Sequence, residues 1–63
     1  MYNYKVKGSH NLIMELKDIL WQQGKIQSNV SQHGIIFISI RDTGELSLLQ
    51  DACYELGLDY EHA

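Results

Sequence analysis

The chain has 63 residues, a net charge of −3 and a single cysteine, Cys53. That length holds one domain, and a domain so small buries only about 60% of the surface its unfolded chain exposes; with no disulfide available, a second subunit or a partner is the expected source of further burial. Proline is absent, there is no low-complexity stretch and no signal peptide, and the longest apolar run, IIFISI at 35–40, is far short of the roughly 20 residues of a membrane span, so a compact cytoplasmic protein is expected.

In chain order, YNYKVK at 2–7 alternates strictly, Tyr2, Tyr4 and Val6 against Asn3, Lys5 and Lys7, which is the period of a half-buried strand. Ser9 then stands as the N-cap of a helix over about 10–23, in which Leu12, Ile13, Leu16, Ile19 and Leu20 form one apolar stripe. Gly24 is expected to be the left-handed residue that ends it. IQSNVS at 26–31 alternates weakly, and QHG at 32–34 reads as a tight turn into IIFISIR at 35–41, the most β-prone segment of the chain. The polar first arm of this hairpin suits an edge, the apolar second arm an interior position.

DTGE at 42–45 has the spacing of a capping box, Asp42 as N-cap and Glu45 three residues on. The second helix is predicted to run to about Leu56, with Leu46, Leu49, Cys53 and Leu56 inward and Ala52 beside them. Gly57 closes it with Leu58 as the accompanying hydrophobic contact, and LDYEH at 58–62 alternates once more as a short last strand.

The element order βαββαβ is that of an α+β, ferredoxin-like sandwich: a four-stranded antiparallel sheet with two helices on one face and strand order fourth, first, third, second. The alternative is a βαββα fold with residues 58–63 as a frayed tail. Length, element order and KVKG before the first helix make the chain similar to small heavy-metal-binding domains of the ferredoxin-like type. Those domains carry C-x-x-C in the loop entering the first helix, where this chain reads GSHNLI from Gly8. No thiolate stands there to hold a soft metal, so the similarity is one of fold and implies no function.

Catalytic and cofactor chemistry finds little to stand on. His10, His33 and His62 fall on three different elements with no two at metal-ligand spacing, and the five glycines are scattered one per turn rather than gathered around a phosphate. No metal and no cofactor is expected. Nucleic acid is disfavoured as a partner: the open sheet face would carry Asn3, Lys5, Lys7, Ile35, Phe37 and Ser39, with one aromatic and isoleucine where a base-stacking ring is wanted.

Three surfaces are left over by folding. On the first helix, His10, Met14, Lys17 and Trp21 lie on a stripe about opposite the Leu12–Leu16–Ile19 centre, at roughly 100° per residue; tryptophan with methionine is a pair enriched at protein contacts. On the sheet, Ile35 and Phe37 beside Lys5 offer an apolar patch for a partner or a second copy. On the second helix Asp51 and Glu55 make an acidic stripe with Ser47, part of a C-terminal third in which residues 42–63 hold six acids and no base. Asp59 and Glu61 are expected to pair with Lys5 and Lys7 across strands.

The function expected is that of a small non-enzymatic, protein-binding regulator or inhibitor that acts stoichiometrically and self-associates. Inhibitors encoded by phages or mobile elements to block a host protein are typical of the kind. The alternative is a small-ligand or anion sensor with its site at a sheet-mediated dimer interface.

Overall fold

The computed structural model describes residues 2–31 and 33–63. In chain order it contains β1 (Tyr2–Lys7), α1 (His10–Gly24), β2 (Ser28–Val30), β3 (Ile35–Ile40), α2 (Thr43–Leu56) and β4 (Asp59–His62). The sheet order is β2-β3-β1-β4 with every pairing antiparallel, the ferredoxin-like order, and the last strand is formed rather than frayed. In the β2–β3 turn, Gln32 lies outside the described residues.

Alternation decides which side of the sheet is covered. Tyr4 and Val6 on β1 and Ile36, Ile38 and Ile40 on β3 are buried, and both helices lay their apolar stripes on that face: Ile13, Leu16 and Leu20 from α1, Leu49, Ala52 and Cys53 from α2. Burial pushes the Cys53 thiol up to about 11, helped by the negative charge of Asp59, so it stays protonated at neutral pH. The weak alternation of 26–31 becomes a strand over only three residues, while Ile26, just outside it, is buried in the core.

The helix ends follow local chemistry. Ser9 Oγ accepts from the Leu12 N–H and Asp42 from the Glu45 N–H at 2.9 Å. The reciprocal half of the second cap is displaced by one residue: Glu45 Oε1 accepts from the backbone N–H of Arg41, 2.8 Å away, while Oε2 accepts from the Arg41 guanidinium at 3.0 and 2.6 Å. This arrangement holds the carboxyl of Glu45 below its ordinary range and raises the Arg41 guanidinium. At the other end Gly57 is left-handed, Leu58 N–H donates to Cys53 O and Gly57 N–H to Tyr54 O, which is a Schellman closure.

The first helix ends differently from expectation. Gly24 is still helical, and Lys25 takes the left-handed conformation at φ 52°. Glycine is needed at 24 for space: a Cβ there would lie 2.7 Å from Leu48 Cδ1 of α2. Close approach of the helices, not backbone handedness, fixes that residue.

Candidate functional site

Ile13, Leu16 and Leu20 are the fully buried residues of α1, whereas Leu12 and Ile19 are half-buried on one flank. The buried centre is thus rotated from the Leu12–Leu16–Ile19 line toward Ile13 and Leu20. At about 100° per residue, His10, Met14, Lys17 and Trp21 then lie roughly a quarter turn from that centre rather than opposite it. The stripe is on the flank of α1, and that flank faces β2.

Two adjoining hollows separate the helix flank from the strand. One, of about 610 Å³, is lined by His10, Met14 and Lys17 on the helix side and by Ser28, Asn29, Val30 and Ser31 on the other. The second, of about 360 Å³, continues past Lys17 to Trp21 and the start of β2, and reaches around the edge to Phe37 and Ser39. Lys17, Ser28 and Asn29 belong to both. All four stripe residues therefore form one wall of a continuous groove. Met14 and Trp21 are 40% and 45% exposed, and Lys25 Nζ sits 5.1 Å from the Trp21 ring centre, so the indole leans toward the turn that follows its helix.

The strand wall has unused bonding capacity. Asn29 is opposite Phe37, and the Ser31 N–H donates to Ile35 O at 2.7 Å. Antiparallel alternation then directs the N–H and C=O of Ser28 and Val30 away from β3, to the open edge. The side chain of Ser28 turns the other way, under α1, where its buried Oγ has no hydrogen-bond partner among the described residues.

The open sheet face gathers the second group. Asn29, Phe37, Lys5 and Glu61 stand in one cross-strand row, and Ile35, Lys7 and Asp59 in the next. Lys5 Nζ is 3.7 Å from Glu61, whereas Lys7 and Asp59 are opposite in register without a close ion pair. Phe37 is 44% exposed and Ile35 half-buried. Ser39 Oγ donates to Asn3 Oδ1 across the strands.

Asp51 and Glu55 are exposed on α2, on a different surface from the groove. Between them in sequence Tyr54 stands 88% exposed, the most open aromatic of the chain. The histidines are dispersed, His10 in the groove, His33 exposed at the β2–β3 turn and His62 stacked at 4.6 Å on Tyr4. Among the described residues, no three His, Cys, Asp or Glu side chains are grouped so that they could hold a metal ion, and no helix is long and apolar enough to cross a membrane.

Compared with known proteins, the chain matches no family model, no curated protein and no solved structure.

Proposed function

We propose that the protein is a non-enzymatic protein-binding module that works stoichiometrically, as a regulator or inhibitor, by engaging a partner with the groove between α1 and β2. One observation carries this reading: Met14, Lys17 and Trp21, which the core does not use, share a groove with a strand edge whose outward backbone groups are unpaired among the described residues. Interfaces are enriched in methionine and tryptophan, and an unpaired strand edge offers directional bonds that a merely greasy patch lacks.

Affinity capture from the native host, with wild-type chain and a Met14→Glu, Trp21→Gln variant side by side, tests it. A protein retained at comparable stoichiometry by the wild type and lost by a variant that keeps its cooperative melt supports the module. Equal retention of every captured protein by both chains refutes the groove as the binding face.

The half-exposed Phe37 supports a second mode, self-association through the open sheet face. Sedimentation that shifts to a dimer at tens of micromolar and reverts with Phe37→Lys supports that mode; a monomer throughout removes it.

A further inference from the structure

The strand edge, the groove floor and the charges around them specify what kind of segment fits. We propose that the β2 edge accepts an extended acidic segment of a partner protein, added as a fifth strand with one carboxylate opposite Lys17. This rests on the protein-binding reading above and adds the chemistry of the bound segment to it.

The two edges of the sheet differ in their protection. β4 presents Asp59 and Glu61, charges of the sort that discourage strand pairing, whereas β2 reads Ser-Asn-Val, with no charge, proline or bulge. A strand laid beside β2 would sit about 4.8 Å away and meet the outward N–H and C=O of Ser28 and Val30. Three residues supply few backbone bonds, so side chains must contribute the rest. Every second side chain of the added strand points under the flank of α1, in the order Met14 with Val30, then Lys17, then Trp21. Apolar, acidic and apolar residues at alternate positions fit that order.

Charge selects the occupant. The hollows around β2, including a third of about 410 Å³ beyond Gln27, are lined by Lys17, Lys25, Arg41 and His10 and by no carboxylate, in a chain whose net charge is −3. Arg41 is engaged by Glu45 and Lys25 lies over Trp21, which leaves Lys17 at the centre without a salt bridge among the described residues. A second copy fits less well. Symmetric β2–β2 pairing about Asn29 would exchange bonds between Ser28 and Val30, but Lys17 lies level with Ser28 and Asn29, so two lysines would meet across the axis. Like charges so placed oppose the dimer, and a carboxylate satisfies both walls.

The probe is a synthetic peptide alternating serine with valine, glutamate and valine, titrated to about 2 mM into the ¹⁵N-labelled chain, beside a peptide with lysine in place of glutamate. Expected are saturable amide shifts centred on Ser28 and Val30, and binding of the glutamate peptide about tenfold tighter than the lysine peptide at low salt. Lys17→Glu should reverse that preference. Ser28→Pro, which removes an outward N–H and no ladder bond, should weaken both peptides at least about fivefold while the core resonances stay in place. Shifts confined to other surfaces, no saturable binding, or a preference unmoved by Lys17→Glu overturn the proposal. So does concentration-dependent pairing of the chain with itself through Ser28 and Val30, which assigns the edge to a second copy. If the peptides fail while a captured partner still requires Met14 and Trp21, the protein-binding module stands and strand addition falls.

Discussion

The two sides of the sheet are built on different terms. On the α2–β4 side, three polar ties are made: Glu45 is tied to Arg41 through backbone and side chain, Gln50 donates to the Tyr60 hydroxyl at 2.8 Å, and Glu61 pairs with Lys5. On the α1–β2 side, among the described residues, Lys17 has no ion-pair partner, the Ser28 hydroxyl is buried without an acceptor or donor, and the outer backbone of β2 is unbonded. Both sides end in an open strand edge, but β4 is guarded by Asp59 and Glu61, whereas β2 carries no charge and has the uncommitted Lys17 beside it. In so small a domain the difference separates residues that make the fold from residues that are free to do other work.

Substitutions should break along that line, and the largest effect is expected inside α1 itself. Leu16→Ala removes a fully buried side chain next to Lys17 in sequence and should cost about 2–5 kcal/mol, enough to leave much of the chain unfolded in thermal melts followed by circular dichroism. A melt within a degree or two of wild type would show that the α1 core stripe is misassigned.

Next in size is the tie between the loop that enters α1 and the turn that precedes β3. Gly34 is left-handed at φ 73°, its carbonyl accepts from the Gly8 N–H at 3.1 Å, and a Cβ on it would lie 2.7 Å from the Gly8 carbonyl oxygen. Gly34→Ala should therefore cost about 1–3 kcal/mol in urea unfolding, with backbone that cannot step aside. An unchanged midpoint would mean that the turn adopts another conformation.

On the α2–β4 side, Glu45 sets the acid limb of stability. Its folded-state pKa is depressed by the Arg41 contacts, so its contribution is fully present above the ordinary value of 4.5 and is lost as pH falls through the lowered one. Glu45→Gln should reduce stability at pH 7 and flatten the profile below about 4.5. A variant with the wild-type acid limb would assign that limb to other carboxylates. The smallest change concerns Cys53: native chain should react with a thiol reagent far more slowly than denatured chain, because the thiol is buried and its pKa is raised to about 11. Equal rates would place Cys53 at the surface.

Most of the fold was legible because strand and helix periods differ and the caps are local. YNYKVK, the GSH entrance to α1, the IIFISI strand and Gly57 each declare themselves within a few residues. What was not legible depended on neighbours far away in sequence. The buried centre of α1 is set by where α2 packs, since Leu12 and Ile19 are half-buried and Ile13 is fully so; periodicity alone defined the stripe too loosely to tell flank from back. That rotation is what turns an exposed stripe into a groove wall. The need for glycine at 24 is hidden for the same reason, because the Leu48 methyl that requires it belongs to the other helix. The reach of Glu45 back to the Arg41 N–H depends on where β3 delivers the chain to α2, and the openness of Tyr54 on what fails to cover it.

The central claim is that the flank of α1 facing β2 is surplus to folding. Urea unfolding of Met14→Glu, Trp21→Gln beside Leu16→Ala, both followed by far-ultraviolet circular dichroism, tests it most directly. The account predicts that the double change on the groove wall costs no more than about 1–2 kcal/mol, less than the single change one turn away in the core. A double variant as unstable as Leu16→Ala, or more so, would show that Met14 and Trp21 belong to the fold and contradict the claim.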